Sequence, residues 1–323
     1  MSATIPGSER PGPVLSILIV NFNSTTLLRD CLDSVAESTI AERLETIVVD
    51  NASTDFDVDE LAKRYPWVTW LPQGTNTTYT GGNNIAFDHS SADLVLMLNP
   101  DTRVEPRALE RAVAHMIASP DLAGLGAYLI GPDGLLQRYY RRLPTLVDLP
   151  VLLFEPILRG TRRGRRFLMS DEPFDRPTPV ENTPGAFTLV RRSAIGADLL
   201  DPGYFNFVSD LELCARLNRA GEVVVFPDVR CHHLRAGAGV GTRDPNARLR
   251  LYHDFTWGLR RYLTPHVGLS GRTMLSILLG LYWLTRIGFV GVRQPKSIGH
   301  ALIVAATAIS GRPPSYAPPD EPT

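Results

Sequence analysis

The chain has 323 residues and a formal net charge of −1 at pH 7. This length allows one large domain with an appendage, or two modest domains, with a sizeable core. The balanced charge excludes a global basic field, so we expect no nucleic acid partner. The three cysteines, Cys31, Cys214 and Cys231, lack metal-site spacing and fit a reducing compartment.

Strand and helix patterns alternate after a polar start. Residues 1–13 lack the apolar segment of a signal peptide and are predicted to form a disordered leader. Nearly continuous apolar runs predict buried strands at 14–20, 46–50, 67–71 and 94–98. Helical periodicity predicts helices at 25–38 and 57–65. This alternation indicates an α/β fold with a mostly parallel sheet and flanking crossover helices.

Three of the predicted strands end in small polar residues. The first ends in Asn21 and Asn23, the second in the segment 50–55, and the fourth in the segment 99–101. Each could be an ordinary turn, but the carboxyl ends of parallel strands lie along one edge of a sheet and would form a single crevice. The first turn lacks the glycine patterns of a dinucleotide fingerprint or a P-loop. The pattern therefore favours a ligand site built from carboxylates and amides.

Six segments follow one another over roughly residues 14–243, namely VLSILIVNFNS, IVVDNASTD, NTTYTGGNN, NPD, GAFTLVRRSA and FNFVSDLELCARLNRAG. This ordered set resembles the inverting nucleotide-sugar glycosyltransferases of family two, which have the GT-A fold, and within them the rhamnosyltransferase-like branch. The resemblance implies a GT-A-like, Rossmann-like glycosyltransferase domain at 14–265.

The resemblance also implies a nucleotide-sugar donor and a divalent cation, Mg²⁺ or Mn²⁺. Asp101 is the expected cation ligand, because a cation that bridges the donor diphosphate neutralises the charge of the leaving group. Asn99 would shape the loop that holds Asp101. The remaining implied contacts with the nucleotide sugar are Asp50 and Asn51 on the pyrimidine, with Asn21, Asn23, Gly81, Gly82 and Asn83 as the lining.

The glycine motif at 76–84 is predicted to be a loop that lines the donor, and two ordinary turn glycines are the alternative. Gly81 and Gly82 match the family. Thr78 stands where the family usually has glycine, so a positive φ at this position would strain a residue that carries a Cβ atom.

Histidines and glycines follow a predicted strand and occupy the segment 231–244. The family often places a metal-binding histidine here, and the spacing favours His233 over His232, with an ordinary loop histidine as the alternative. Arg243 follows three glycines of this segment. The loop would either close over the diphosphate with Arg243 as its clamp or serve only as a connector.

Inversion also requires a carboxylate that removes the proton of the acceptor hydroxyl. The family motif places this base at Asp210, but its flanking acidic residues are replaced by Ser209 and Glu212. Ser209 and Glu212 predict a capping box at a helix start, and the helix dipole would stabilise Asp210 in its ionised form. Ordinary first-turn charge matching is the alternative for Asp210.

Two regions indicate attachment to a membrane surface. An apolar stretch at 143–158 precedes a basic tract at 159–166, a combination that suits an anionic leaflet or the diphosphate of a lipid-linked acceptor. The segment 274–292 is strongly apolar but contains Arg286, which favours an interfacial or partner-packing helix over a membrane span. Residues 300–309 are expected to pair with it. These patterns predict a membrane-associating helical extension at 266–311 and a disordered tail at 312–323.

Together these features predict a cytoplasmic enzyme, peripheral on the inner face of the cell membrane. The predicted reaction is metal-dependent, inverting transfer of a sugar to a polyprenyl-diphosphate-linked acceptor or a growing cell-surface polysaccharide. The resemblance alone favours L-rhamnose from dTDP-rhamnose. The enzymatic alternative is a UDP-sugar transferase of the same fold. The non-enzymatic alternative is a sugar-nucleotide- or glycan-binding subunit that has lost its catalytic site, which the replacement by Ser209 would indicate. The sequence is compatible with a homo-oligomer.

Overall fold

The computed structural model describes residues 12–234, 245–293 and 298–314. Within them the chain forms a nine-stranded sheet with the order β3-β2-β1-β4-β8-β6-β9-β5, and β7 pairs with β9. The strands are β1 (Leu15–Asn21), β2 (Leu44–Asp50), β3 (Val68–Pro72), β4 (Leu94–Leu98), β5 (Thr102–Val104), β6 (Leu122–Ile130), β7 (Thr178–Pro179), β8 (Phe187–Arg191) and β9 (Glu222–His233). Arg243 and nearly all of the predicted leader and tail lie outside the described residues.

The helices surround this sheet and extend beyond its last strand. They are α1 (Thr25–Ala36), α2 (Val58–Arg64), α3 (Thr78–Asp88), α4 (Ala108–Ala118), α5 (Leu149–Leu153), α6 (Glu155–Leu158), α7 (Arg162–Phe167), α8 (Ser209–Ala220), α9 (Pro245–Leu263), α10 (Leu269–Arg293) and α11 (Ile298–Ile309). The two helices predicted at 25–38 and 57–65 are confirmed as α1 and α2. Asp57 caps α2 by accepting a hydrogen bond from the backbone N–H of Glu60 at 3.0 Å.

The four predicted strands are confirmed as β1 to β4, and they are parallel. β1 lies between β2 and β4, and β2 pairs with β3. The register places Asn21 opposite Asp50, so the polar strand ends meet at one edge as predicted. Beyond β4 the sheet is mixed, because β8 is antiparallel to both β4 and β6, and β5 is antiparallel to β9.

The glycine motif forms a helix rather than the predicted loop. α3 begins at Thr78, whose φ of 68° is the strained conformation expected there for a residue other than glycine. The helix lies so close to β1 that a Cβ atom at Gly82 would sit 2.8 Å from Cγ1 of Val20. Gly82 therefore has a packing role between helix and sheet, and its contact with a donor stays a prediction.

Two apolar clusters form the interior. The first surrounds the sheet, and the second joins α5 and α7 to the helices α8 to α11. The apolar stretch at 143–158 contributes Leu149, Val151 and Leu153 to the second cluster, so these side chains are not available to a membrane. In the basic tract, Arg163 pairs with Asp148 at 3.0 Å.

The C-terminal helices carry two apolar faces. α10 and α11 pack on each other, as predicted, and α10 buries Leu279 and Trp283 in the second cluster. A second apolar stripe on α10 faces outward at a helical spacing, formed by Met274, Ile277, Leu281 and Leu284. Within the described ranges, no helix is long and apolar enough to cross a bilayer.

The contact between Gly82 and Val20 gives the first prediction. Gly82→Ala should destabilise the fold by about 1 to 3 kcal/mol, because the stiff β-branched side chain of Val20 cannot move away from the added methyl group. Gly280→Ala is the matched control, since Gly280 lies within α10 and a Cβ atom there would meet no atom within 4 Å. The control should be neutral or more stable by up to about 1 kcal/mol. Urea denaturation of both variants measures the difference, and equal effects would contradict the packing role.

Candidate active site

The ends of β1 and β2 are joined by a hydrogen-bond network. Asn21 Nδ2 donates to Asp50 Oδ1 at 2.7 Å, and the Ser53 hydroxyl donates to the same oxygen at 2.6 Å. The Ser53 N–H donates to Asp50 Oδ2 at 2.9 Å. Both Asn21 and Asp50 are buried. The carboxylate of Asp50 is thus saturated by protein donors, so its structural role is to tie the two strand ends together.

The neighbouring amides fix the adjacent loops in the same way. Asn51 is buried, donates to the carbonyl of Thr78 at 2.9 Å and accepts from the hydroxyl of Thr77 at 2.6 Å. Asn23, with φ of 49°, accepts from the backbone N–H of Thr54 at 2.9 Å. The structure therefore brings Asn21, Asn23, Asp50 and Asn51 together, while their contact with a nucleotide stays a prediction.

Asp101 lies between β4 and β5, where the chain turns after the Asn99–Pro100 pair. Its side chain is only 2% exposed, and within the described residues neither carboxylate oxygen has a hydrogen-bond partner. The carbonyl of Asn99 accepts from the hydroxyl of Thr102 at 2.7 Å, which fixes the turn. The carbonyl of Asp101 accepts from the N–H of Leu234 at 2.8 Å. A buried carboxylate without partners is costly, so this position is built for a cationic ligand.

His233 is the residue that faces Asp101. The antiparallel pairing of β5 with β9 sets Thr102 opposite His233, and His233 Nε2 lies 3.4 Å from Asp101 Oδ1. His232 points the other way along the strand, where its Nε2 lies 3.7 Å from Glu105 Oε1. Of the two histidines that the sequence left open, His233 is therefore the one that faces Asp101, and its contact with a metal stays a prediction.

Gln137 orients His233 and is a residue that the sequence reasoning missed. Its Nε2 donates to the backbone carbonyl of His233 at 3.0 Å, which turns its Oε1 toward His233 Nδ1 at 2.7 Å. Nδ1 must then carry a proton, and Nε2 is the ring nitrogen that faces Asp101. The signal in the sequence was the segment GPDG at 131–134, a turn that folds the chain back along β6.

This pair of groups fits a divalent cation. A carboxylate oxygen and an imidazole nitrogen that face one point are able to coordinate a cation placed between them. In the parts of the chain that the structure describes, no cluster of three or more His, Cys, Asp or Glu side chains forms a metal site. Asp101 and His233 would therefore supply two ligands, and diphosphate oxygens and water would supply the rest, as is usual for Mg²⁺ bound with substrate phosphates.

Asp210 lies in the first turn of α8, but the predicted capping box is absent. The N-cap is Val208, with φ of 68°, and Ser209 is the first helical residue, whose buried hydroxyl has no partner among the described residues. Glu212 pairs with Arg216 at 3.0 Å, one turn later, instead of reaching back to the helix start. The capping prediction was wrong because tertiary packing of the preceding segment, rather than a local side-chain bond, sets the start of this helix.

Burial dominates the ionisation of Asp210. Desolvation raises its pKa, although hydrogen bonds from the N–H groups of Leu211 and Gly185 and the charge of Arg141 lower it. The helix dipole was expected to favour the ionised form, and burial outweighs it. A carboxylate with a raised pKa is a stronger proton acceptor than an ordinary one, which suits a general base.

Tyr79 joins α3 to the segment that precedes β8. Its hydroxyl donates to the carbonyl of Gly185 at 3.1 Å, and a Cβ atom at Gly185 would lie 2.6 Å from that hydroxyl. Burial raises the pKa of Tyr79, and the negative charges of Asp210 and Asp101 raise it further. The two carboxylates therefore both act electrostatically on this side chain. The sequence reasoning missed Tyr79, although it lies inside the glycine motif.

Other predicted residues have structural roles. Asn83 is buried and donates to the carbonyl of Tyr79 at 2.9 Å within α3. A Cβ atom at Gly81 would lie 3.1 Å from Cβ of Thr77, so this glycine also serves the close packing of the helix start. The predicted clamp at Arg243 lies outside the described residues.

The raised pKa of Asp210 predicts how stability depends on pH. Between the ordinary carboxyl pKa and the raised folded-state value, the folded chain holds a proton that the unfolded chain has lost, so stability falls as pH rises through this window. Asp210→Asn should therefore melt at a higher temperature than the parent near pH 7, with the gain lost below the ordinary carboxyl pKa. Asp50→Asn is the control and should destabilise by about 1 to 3 kcal/mol, because it disrupts a saturated set of hydrogen bonds. A lower melting temperature for Asp210→Asn near pH 7 would contradict the burial argument.

Comparison with known protein sequences shows the family of this chain. The family model described as Glycosyl transferase family 2 matches residues 16–197. An N-acetylglucosaminyl-diphospho-decaprenol L-rhamnosyltransferase of Mycobacterium tuberculosis is 30% identical over 263 residues, which cover 76% of this chain and 83% of the relative. The rhamnosyltransferase WbbL of Escherichia coli K12 is 25% identical over 269 residues, which cover 79% of this chain and 95% of the relative.

Solved structures show the same fold at low identity. A mannosyltransferase from Pyrobaculum calidifontis, in complex with GDP-Man and Mn²⁺, matches with a TM-score of 0.52 at 16% identity, covering 93% of this chain and 88% of that one. GalNAc-T7, with UDP, GalNAc and Mn²⁺, matches with a TM-score of 0.53 at 17% identity, covering 75% of this chain and 48% of that one. The fold is thus GT-A-like, as predicted, and the chain belongs to glycosyl transferase family 2 as a glycosyltransferase.

Proposed function

We propose that this glycosyltransferase moves L-rhamnose from dTDP-rhamnose, with inversion, to a polyprenyl-diphosphate-linked acceptor at a membrane surface. The observation that carries the proposal is the buried carboxylate of Asp101, with neither oxygen hydrogen-bonded in the described residues and His233 Nε2 at 3.4 Å. It lies at the edge of the sheet where the polar ends of β1 and β2 also meet.

Asp101 and His233 would hold Mg²⁺ or Mn²⁺, with Gln137 fixing the tautomer of His233. The cation, when bound, supplies positive charge to the leaving nucleoside diphosphate. The protein contributes two buried side chains, Asp101 and His233, and charges interact more strongly in a buried position than in water. Metal dependence is therefore part of the proposal.

Asp210 would act as the general base on the acceptor hydroxyl. Its raised pKa increases its basicity, and the N–H of Leu211 donates to the carboxylate at 2.9 Å. Tyr79 donates through its hydroxyl to the carbonyl of Gly185 at 3.1 Å.

The choice of sugar and acceptor rests on the sequence relatives. Both are named as rhamnosyltransferases, and the name of the M. tuberculosis enzyme specifies an N-acetylglucosaminyl-diphospho-decaprenol acceptor. A lipid-linked acceptor also suits the apolar stripe that α10 exposes, because such a stripe would bring the catalytic domain to a lipid surface. We therefore propose a peripheral location on the inner face of the cell membrane.

A panel of nucleotide sugars tests the function directly. The chain is incubated with each sugar, with a synthetic lipid carrying diphospho-N-acetylglucosamine, and with Mg²⁺ or Mn²⁺, and nucleoside diphosphate release is measured. The proposal expects release from dTDP-rhamnose that depends on the lipid acceptor. Transfer from UDP-sugars alone would favour the enzymatic alternative, and the absence of any turnover would favour a non-catalytic binding subunit.

Metal binding gives the next prediction. Asp101→Asn should weaken Mn²⁺-dependent binding of dTDP by about 100-fold or more, since even groups that only orient metal ligands contribute roughly 10- to 100-fold. Gln137→Ala should show an intermediate loss. Glu105→Gln is the control, because Glu105 faces His232 rather than His233. Calorimetry of dTDP with Mn²⁺ and with EDTA measures the series. Equal binding by Asp101→Asn and the parent would remove Asp101 from the metal site.

The role of Asp210 is separable from that of Glu212. Asp210→Asn keeps the shape and the bond from Leu211 but cannot accept the proton, so kcat should fall by a factor on the order of 100 to 10,000. Donor affinity should not change. Glu212→Gln should retain nearly all activity, because Glu212 pairs with Arg216 rather than with reacting groups. Steady-state rates with donor titration decide this, and an inactive Glu212→Gln beside an active Asp210→Asn would reverse the assignment.

Membrane attachment is tested on the exposed stripe of α10, because deleting the C-terminal helices would open the second apolar cluster. Leu284→Glu should reduce binding to anionic liposomes by roughly tenfold or more, because a charged side chain replaces one that would insert into the lipid surface on binding. Ile117→Glu on α4 is the matched control, because its side chain is also exposed, at 68% against 65% for Leu284. Co-sedimentation measures binding, and equal losses for the two variants would argue against the stripe.

A further inference from the structure

A cavity lies between the second apolar cluster and the segment that precedes α8. Its volume is about 240 Å³, and it is lined by residues of α5, α6, α9 and α10 together with Phe207. Most of the lining is apolar or aromatic, including Leu152, Phe207 and Phe255. None of the roles described above uses this cavity.

Among the described lining residues, Arg286 carries the positive charge, and it does so in apolar and aromatic surroundings. It lies within the apolar helix α10, and its guanidinium stacks over the rings of Tyr252 and Tyr282 at 4.4 and 4.8 Å. Its Nε is buried and has no hydrogen-bond partner in the described residues, and no carboxylate pairs with it there. A buried N–H of a guanidinium without an acceptor is costly, so the structure offers a donor to an anionic ligand.

Phe207 links the cavity to the candidate active site. It lines the cavity and lies three residues before Asp210 in the chain, next to Val208, whose left-handed conformation begins α8. Glu155, the first residue of α6, lines the cavity as well. A ligand in the cavity would thus contact the segment that leads into the helix of Asp210.

We infer that this cavity binds the phosphorylated end of an isoprenoid lipid, with the first isoprene units among the aromatic side chains and a phosphate oxygen on Arg286. This inference rests on the proposed function, because it gives the lipid-linked acceptor its own site. The volume is sufficient, since a cavity of roughly 150 Å³ holds benzene and about 240 Å³ therefore holds on the order of one or two five-carbon units. The remaining chain would leave along α10, which also carries the exposed apolar stripe.

The charges in the lining set the orientation of the acceptor. Glu155 on α6 is the carboxylate among the described lining residues, and Arg286 on α10 is the cation. A carboxylate accepts hydrogen bonds from sugar hydroxyls and repels phosphate, whereas a guanidinium attracts phosphate. The sugar therefore lies nearer Glu155, and the diphosphate lies nearer Arg286.

Farnesyl diphosphate serves as the probe in calorimetry with the full chain. The titration is done in EDTA, so that the diphosphate cannot bind through a cation at Asp101. Farnesyl diphosphate should bind more tightly than farnesol or inorganic pyrophosphate alone, because only the complete probe uses both parts of the cavity. Arg286→Gln should lower its affinity by roughly tenfold or more, and Arg286→Lys should restore part of it.

Two further variants make the test specific. Leu152→Trp should abolish probe binding by filling the cavity, and Arg272→Gln, an exposed arginine on the same helix, should leave it unchanged. Glu155→Gln should tighten binding of this sugar-free probe, since it removes a repulsive charge. Pyrophosphate that binds as tightly as the complete probe, equal losses for Arg272→Gln and Arg286→Gln, or weaker binding by Glu155→Gln would each overturn the inference.

Turnover separates this inference from the proposed function. If the chain transfers rhamnose, Arg286→Gln should raise the KM for the lipid acceptor and leave the KM for the donor unchanged. Active enzyme with an unchanged acceptor KM in both Arg286→Gln and Leu152→Trp would refute the cavity assignment and leave the function standing. Specific probe binding without any sugar transfer would refute the function and leave the lipid site standing.

Discussion

The buried carboxylate of Asp101 is the constraint on which the site depends. Removing a carboxylate from water without a partner costs several kcal/mol, so the surrounding structure must hold it in place. Three elements do so: the turn after β4, closed by Thr102 on the carbonyl of Asn99; the bond from Leu234 to the carbonyl of Asp101; and the β5–β9 pairing that brings His233 opposite. Gln137 then fixes the ring of His233. The geometry makes a cation the ligand that relieves the unfavourable arrangement.

The carboxylate of Asp210 is connected to this centre by backbone and small-residue contacts rather than by a direct ion pair. Gly185 accepts a hydrogen bond from the Tyr79 hydroxyl through its carbonyl, and only glycine leaves room for that hydroxyl. Tyr79 lies on α3, which packs against β1 at Gly82. A shift of α3 would therefore move Tyr79 relative to the backbone at Gly185.

The C-terminal helices share one apolar cluster with the helix that carries Asp210. The second apolar cluster includes residues of α8, so the helix that carries Asp210 packs directly on the C-terminal helices. α10 has a buried face in this cluster, an exposed apolar stripe, and Arg286 at the cavity between them. In the proposed reaction, α10 would thus contact both the lipid surface and the acceptor, and it shares an apolar cluster with α8, which carries the proposed base.

Local sequence patterns correctly predicted the first four strands and the edge of the sheet where their polar ends meet. Apolar runs fixed β1 to β4 to within a residue or two, and the polar strand ends correctly placed Asn21, Asp50 and Asp101 along one edge. These features follow from periodicity and from the parallel arrangement of successive strands, which depend on residues near one another in the chain. The motif resemblance supplied the family, and the order of its segments matched the order of the strands.

Tertiary structure decided the remainder, because it depends on contacts between distant segments. Gln137 and His233 are 96 residues apart, and no local pattern indicates that their side chains meet. The capping box at Ser209 failed because packing left Val208 as the N-cap. The apolar stretch at 143–158, predicted to favour a membrane surface or a lipid-linked acceptor, buries its central part in a cluster with helices that come later in the chain, while Val147 and Ile157 stay exposed. The sequence alone determined which residues were able to carry charge and where strands ended, and the fold alone decided which of those charges were left without partners, since burial is a property of the whole packed chain.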